Sequence, residues 1–305
     1  MIVKMNEKKL GFLIEKLEKQ YGKELTNRIL EGYKIQRKTS FRINTLKSNK
    51  HEIEAVLKQN NLEFEKINYI ENAYVLNSGT EKDLEVLQIY DEGKIYVQSL
   101  SSMLPPIILS PRENADILDM AAAPGGKTTQ IAALVQNQAN ITACEMNHIR
   151  AEKLKYNVEK QGASSVYIMI EDARNIDDFF KFDQILLDAP CSGSGTLNFN
   201  DSNLEKYFTE KLIEKSSKLQ LALLKKAVNI IKKGEEIVYS TCSILEEENE
   251  KILQEILKNK NLKIVPIELD KKAEIPLLPS KIPGTICILP DQFFEGFFVA
   301  KIKKI

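Results

Sequence analysis

Two cysteines carry most of the chemical information in this chain. Cys191 lies in Asp188-Ala189-Pro190-Cys191-Ser192 and Cys242 in Ser240-Thr241-Cys242-Ser243. Each follows an apolar run that reads as a buried strand, Ile185-Leu186-Leu187 before the first and Ile237-Val238-Tyr239 before the second. In an open parallel sheet the loops after the strand carboxyl ends build the ligand cleft. A cysteine there becomes a nucleophile wherever its thiolate is favoured. Two such positions in one sheet point to covalent chemistry.

A glycine-rich loop supplies the second motif, Asp119-Met120-Ala121-Ala122-Ala123-Pro124-Gly125-Gly126-Lys127-Thr128. It sits between a strand and a helix, where glycines let the backbone approach a ligand and the helix start offers free amides. A phosphate loop is the rival reading, because Ala121 to Thr128 nearly fits GxxxxGK[ST]. Ala121 replaces its first glycine, however, and Pro124 removes an amide from the cradle. The acids downstream decide between the two. Glu145 ends the second strand, 19 positions after Gly126, Asp172 follows the third and Asp188 ends the fourth. An adenosine-type ligand needs an acid on its ribose hydroxyls about 20 residues after the glycine loop, whereas a phosphate-loop enzyme has no special use for Glu145.

The elements that must position these residues follow from periodicity. From Ala115 onward strands and helices alternate: strands over 116–120, 140–145, 166–170, 183–188, 236–241 and 262–266, with a helix over about 210–232. That alternation is an α/β pattern with a mostly parallel, doubly wound sheet. The tail, 286–289 and 297–300, reads as an antiparallel terminal hairpin. Before Ala115 the period differs. Leu10, Leu13, Ile14, Leu17 and Tyr21 recur at helical spacing with Gly22 placed to end the helix, and a second helix covers 25–33. Short strands at 41–44, 62–64, 74–76 and 94–97 surround a helix over 50–58. Residues 1–95 therefore read as a small N-terminal α+β domain and 96–305 as the larger one, with Pro105-Pro106 and Pro111 punctuating the passage.

The bulk numbers exclude several classes. The 305 residues carry 43 basic and 43 acidic side chains, so an RNA partner needs a local basic patch. Arg37, Lys38, Arg42 and Lys47 form a candidate strip. Four widely spaced cysteines without a CxxC argue against a disulfide framework and against a metal site. No apolar stretch is long enough to span a bilayer and no signal-peptide core opens the chain. A cytoplasmic, membrane-free monomer is expected. His51 and His148 fall among polar residues of predicted helices and read as surface.

The glycine loop, Leu186-Leu187-Asp188-Ala189-Pro190-Cys191-Ser192-Gly193-Ser194-Gly195-Thr196 and Tyr239-Ser240-Thr241-Cys242-Ser243 closely resemble RNA cytosine-5 methyltransferases of the RsmB/Sun/NSUN kind. Phe41-Arg42-Ile43-Asn44-Thr45, Gln98-x2-Ser101-Ser102-Met103 and Gly296-Phe297-Phe298-Val299-Ala300-Lys301 also resemble segments of that family, so the likeness runs from about residue 39 to 302. It implies a Rossmann-like class I methyltransferase domain that binds S-adenosyl-L-methionine, with an RNA-binding N-terminal domain. By resemblance the cofactor contacts fall on Ala122, Ala123, Pro124, Gly125, Gly126, Lys127, Thr128, Glu145, Asp172 and Asp188. Arg150 matches a recurrent position, although a solvated helix face is its expected setting; Lys127 is a candidate to orient the site or contact RNA, although helix-start lysines are most often solvated.

Cytosine C5 takes a methyl group only after a thiolate has added to C6. The reaction then needs a partner for N3 and a base for the C5 proton. Cys242 is the better nucleophile on physical grounds, because Ser243-Ile244-Leu245-Glu246 reads as a capping box opening a helix, and a helix start lowers a thiol pKa. The resemblance gives Cys242 the same role and gives Cys191 to product release. Asp188 is expected on the N3/N4 edge of the base. The target must be extruded or single-stranded. No large helical extension precedes the catalytic region and nothing follows residue 305, so the chain is expected to lack the added RNA-binding modules of some relatives. Ribosomal RNA is favoured over transfer RNA. The competing readings are a phosphate-loop NTPase and a catalytically idle RNA-binding scaffold.

Overall fold

A computed structural model describes residues 10–269 and 273–305. Helix α1 (Gly11–Gly32) opens it and breaks at Gly22, whose φ of 77° is left-handed. A four-stranded sheet follows, in the order β2-β3-β1-β4 and antiparallel throughout: β1 (Ser40–Ile43), β2 (Phe64–Lys66), β3 (Ala73–Leu76) and β4 (Ile95–Val97). Helix α2 (Lys50–Gln59), capped by the Asn49 side chain, packs on it. With the short α3 (Glu81–Glu85) and α4 (Gln88–Asp91) these elements close a separate core around Phe41, Ile53, Leu57 and Tyr74.

Helix α5 (Leu100–Leu109) leads into the larger sheet. Pro105 and Pro106, expected to punctuate an interdomain passage, lie inside this helix. A proline removes the hydrogen bond to the carbonyl four residues back, and the Ser102 carbonyl freed by Pro106 is taken by Gln98 Nε2 at 3.0 Å. Then come β5 (Asp116–Asp119), α6 (Gly126–Leu134), β6 (Asn140–Cys144), α7 (His148–Gln161), β7 (Val166–Met169), β8 (Phe182–Asp188), the short α8 (Leu204–Tyr207), α9 (Glu210–Ile230), β9 (Ile231–Thr241) and α10 (Glu250–Ile256). Strands β10 (Leu262–Val265), β11 (Leu277–Leu278), β12 (Ile286–Ile288) and β13 (Phe297–Lys304) complete the chain.

Strands β7-β6-β5-β8-β9 are parallel, and the order reverses at β5, where β6 and β8 lie on opposite sides. That is the switch point at which α/β sheets bind ligands. Beyond β9 the sheet turns antiparallel through β13, as the terminal hairpin expectation had it. One strand departs from the parallel reading. Residues 262–266 were placed in the alternating series, but β10 pairs antiparallel with the far half of β13.

Two cores cover the large sheet. One holds α5, α6 and α7 against β5, β6 and β9 through residues such as Leu104, Ile131, Leu154 and Val238. The other holds α9 and α10, and it also contains Leu13, Leu17, Tyr21, Ile29 and Tyr33 of the N-terminal segment. The apolar stripe of α1 thus shares a core with residues of the large sheet. Among the described residues no helix is long and apolar enough to cross a membrane.

Candidate active site

Parallel registry puts the carboxyl ends of β5, β8 and β9 on one edge, with Asp119 opposite Leu186 and Asp188 opposite Ser240. Each strand then releases its chain into a loop carrying the groups singled out above.

The loop after β5 reaches α6 through Gly125, whose φ of 108° favours glycine. No side chain caps the start of α6 and no acid lies in its first turn, so its leading amides remain available. Ala122 and Ala123 are buried, and Ala122 N donates to the Cys144 carbonyl at 2.9 Å. The Thr128 hydroxyl donates to Asp119 Oδ2 at 2.7 Å. These residues shape the loop and offer a ligand backbone, not side chains. Asp119 is 1% exposed, and its Oδ1 is buried without a partner. Burial pushes its carboxyl up to about 6, against the opposing Thr128 hydrogen bond, with the Asp188 charge adding to the rise.

Glu145 and Asp172 face the same cleft, which Met120, Ala121, Arg150 and Pro190 also line. Glu145 Oε1 accepts from Asn147 N at 2.9 Å. Arg150 does not occupy a purely solvated face. Its Nη1 pairs with Glu145 Oε2 at 3.2 Å and its Nη2 donates to the Ala123 carbonyl at 2.8 Å, although half the side chain stays exposed. Arg174 holds Asp172 at 2.5 Å, and its hydrogen bonds keep that carboxyl below the ordinary range.

Lys127 overturns a second solvation expectation. Only 13% of its side chain is exposed; its Nζ lies 2.7 Å from Asp188 Oδ2 and donates to Ser102 Oγ at 2.6 Å. Burial works against its ammonium, but the Asp188 charge and hydrogen bond, with Asp119 and Cys242, outweigh that and hold it raised. The lysine a phosphate loop requires is therefore already engaged. Ser240 Oγ donates to the other oxygen of Asp188 at 2.7 Å, so this carboxylate is anchored on both sides.

The two thiols meet at this end of the cleft, with Cys191 Sγ and Cys242 Sγ 2.9 Å apart. Both cysteines are partly exposed and free. The Cys191 thiol is pushed well above its usual range, first by its hydrogen bond with Cys242, then by burial and by the charges of Cys242 and Glu248. Cys191 therefore keeps its proton beside Cys242. The other two cysteines are buried bystanders. Cys144 donates to the Glu171 carbonyl, with its thiol raised to about 12 by burial, and burial raises Cys287 as well.

The expected capping box does not form. Ser243 Oγ accepts from Leu245 N, two residues on, at 3.1 Å. Glu246 is drawn away to Lys251 and Lys281, and the helix begins only at Glu250. The cause lies just beyond, because Glu248, Asn249 and Glu250 are all buried and pull the segment into a turn beneath the β9 end. The helix-start argument for Cys242 falls with the box, and the nearby cation is Lys127.

A sequence profile of 16S rRNA methyltransferases RsmB/F matches residues 106–303, and one for the ferredoxin-like domain of RsmF/B-like methyltransferases matches 11–82. This chain belongs to the RsmB/F family. The members are S-adenosylmethionine-dependent RNA cytosine-C5 methyltransferases. A probable ribosomal RNA small subunit methyltransferase B of Bacillus subtilis (strain 168) is 28% identical over 299 residues, which span 96% of this chain and 66% of that protein. The tRNA (cytosine(49)-C(5))-methyltransferase of Pyrococcus abyssi (strain GE5 / Orsay) is 34% identical over 274 residues, 87% of this chain and 88% of that one. A 28S rRNA (cytosine-C(5))-methyltransferase of Mus musculus is matched over only 38% of its length. The chain thus spans less than two thirds of several relatives. The crystal structure of a methyltransferase homologue from Pyrococcus horikoshii superposes with a TM-score of 0.81 at 30% identity, covering 96% of this chain and 98% of that one. NSun6 from the same organism, solved with SFG, shares the fold with a TM-score of 0.85 at 24% identity.

Placed against this family, the structure brings Asp188, Cys191, Cys242 and Lys127 together. It disperses the basic strip. Arg42 is buried between Gln98 Oε1, the Gly126 carbonyl, Thr129 Oγ1 and the Tyr96 ring, and Lys47 Nζ donates to the Glu92 and Lys160 carbonyls. Lys38 lies over Phe293, while Arg37 Nη2 reaches the Gly195 carbonyl beside the Cys191 loop. His51 and His148 are exposed. Sequence reasoning missed the residues that brace the thiols. Tyr33 OH donates to the Ser194 carbonyl and Tyr21 OH to the Ile244 carbonyl, both at 2.5 Å. Tyr21 was read as one more apolar step of the α1 stripe, and its hydroxyl was the only available signal.

Proposed function

We propose that this protein transfers the methyl group of S-adenosylmethionine to C5 of a cytosine in RNA through a Cys242–C6 adduct, with Cys191 serving release. The 2.9 Å approach of the two sulfurs beside the Asp188–Lys127 pair carries this reading. The Cys242 thiolate adds to C6, and the electrons displaced from the C5–C6 bond run toward N3. C5 then takes the methyl group from the sulfonium, which leaves as a neutral thioether. Loss of the C5 proton and expulsion of the thiolate restore the ring. In this reading Asp188, held by Lys127 and Ser240, hydrogen-bonds the N3/N4 edge, while Cys191 gives its proton to the departing Cys242 sulfur and the thiolate so formed takes the proton from C5, leaving both thiols protonated.

The residues present fit the cofactor. The free amides at the start of α6 suit its carboxylate, Glu145 suits the ribose hydroxyls and Asp172 suits the adenine side, while Asp119 Oδ1 is a buried oxygen still lacking a donor. The bound cofactor supplies an electrophilic methyl group. We propose that the smaller sheet and Arg37 face the RNA and that the protein acts as a monomer. We infer ribosomal RNA as substrate, supported by the family profile; the length match to the archaeal tRNA enzyme makes transfer RNA the second reading. Incubation with unmethylated total RNA and labelled cofactor, followed by bisulfite sequencing, tests the proposal. Protected cytosines in ribosomal RNA are expected, whereas no protected cytosine in any RNA fraction would leave a binding scaffold.

A further inference from the structure

Two adjacent buried residues, neither used by the chemistry above, hold the thiol loops: the Glu248 side chain bonds chiefly the Cys191 loop, with a further interaction with the Ser243 hydroxyl, and the Asn249 side chain bonds the Cys242 loop. Glu248 is 0% exposed. Its Oε1 accepts from Ser192 N at 2.7 Å and from Gln220 Nε2 at 3.3 Å, and its Oε2 accepts from Ser192 Oγ at 2.5 Å. Gln220 Nε2 also donates to the Pro190 carbonyl at 3.0 Å, so both neighbours of Cys191 are tied to one carboxylate on α10's approach. Asn249, also 0% exposed, turns to the other loop. Its Oδ1 accepts from Thr241 Oγ1 at 2.6 Å and its Nδ2 donates to the Ser243 carbonyl at 2.9 Å, so the residues on both sides of Cys242 are tied to one amide.

We infer that Glu248 and Asn249 are paired positioning residues, Glu248 fixing the release thiol and Asn249 fixing the attacking thiol. The inference rests on the proposed roles of Cys191 and Cys242. A buried carboxylate that accepts from both polar groups of Ser192 costs several kcal/mol to desolvate, and the same turn could be built from apolar residues at less cost. What the polar version adds is geometry, because directed hydrogen bonds fix a loop to within tenths of an ångström where apolar packing does not. Each side chain makes its own bonds to its own loop, so losing one is expected to loosen one thiol and leave the other in place. Misplacement of a reacting group by about 1 Å costs on the order of a hundredfold in rate.

The test separates the two steps. With wild-type protein, RNA and cofactor, the fraction of enzyme held as a covalent RNA adduct is read on a denaturing gel beside the methylated product. Glu248→Ala and the milder Ser192→Ala are expected to raise the adduct fraction roughly tenfold while slowing turnover. Asn249→Ala and the milder Thr241→Val are expected to slow methylation with no rise in adduct. Cofactor affinity stays unchanged in all four. In parallel, iodoacetamide labelling mapped by mass spectrometry is expected to change at Cys191 in the first pair and at Cys242 in the second, a readout that needs no turnover. If both pairs alter adduct and product in the same proportion, or labelling changes equally at both thiols, the division of labour is wrong. If the wild-type protein methylates no RNA while labelling still separates the pairs, the functional reading fails and the positioning stands.

Discussion

On the β5–β7 side of the cleft, polar groups are held by near neighbours in the chain: Asn147 and Arg150 for Glu145, Arg174 for Asp172, Thr128 for Asp119. On the β8–β9 side, apart from Asn249 beside the Cys242 turn, they are held from afar. Tyr21, Tyr33, Gln220, Glu248 and Gly296 reach groups of the thiol loops between 30 and 223 residues away. Gly195 shows how tight that assembly is, since a Cβ there would lie 1.9 Å from the Gly296 carbonyl oxygen. A side that binds and releases a small cofactor can be open and locally built. A side that must hold two sulfurs in register through bond making and breaking needs support from several elements at once.

The sharpest way to break this contrast is to remove a sulfur. Cys242→Ala is expected to reduce methyl transfer by on the order of 10⁴-fold or more, measured with labelled cofactor. Lys127→Met comes next. It strips Asp188 of its buried cation and is expected to lower transfer about a hundredfold, with a smaller change in cofactor affinity. If Lys127 were a solvated helix-start residue, the loss would be negligible.

A third prediction concerns pH. The Asp119 carboxyl at about 6 in the folded protein stands above its ordinary 3.8, so the native state holds this proton more tightly than the unfolded chain. The stability it confers is fully present below about pH 4 and is lost as pH rises through 6, by up to about 3 kcal/mol. Urea unfolding of Asp119→Asn against wild type at pH 4 and pH 7 should show the variant gaining on wild type toward neutrality. On the thiol side, Tyr33→Phe leaves the buried Ser194 carbonyl without its donor and should cost about 1–3 kcal/mol in the same assay. Arg150→Ala should be mildest, weakening cofactor binding by less than about fivefold, because an ion pair half exposed to water contributes about 0–1 kcal/mol.

The same contrast explains what the sequence disclosed. The glycine loop, Glu145, Asp172 and Asp188 were legible because each sits at a strand end within one βα unit, where spacing along the chain maps directly onto spacing in the sheet. The alternation of strands and helices was legible for the same reason. The strand at 262–266 was misplaced because apolar content does not reveal whether a strand pairs parallel or antiparallel. The Ser243–Glu246 pattern satisfied every local requirement of a capping box and failed, because burial of Glu248 and Asn249 outweighed local helix initiation. Lys127 and Arg150 were assigned to solvent because helix position is local, whereas their partners Asp188 and Ala123 are brought to them by the fold.

In the proposed reaction the two thiols have unequal roles. Cys191→Ala incubated with RNA and cofactor, resolved on a denaturing gel and mapped by peptide mass, tests it most directly. A stable protein–RNA adduct carrying the nucleotide on Cys242 is expected. An inactive Cys191→Ala without adduct, together with an active Cys242→Ala, would contradict it.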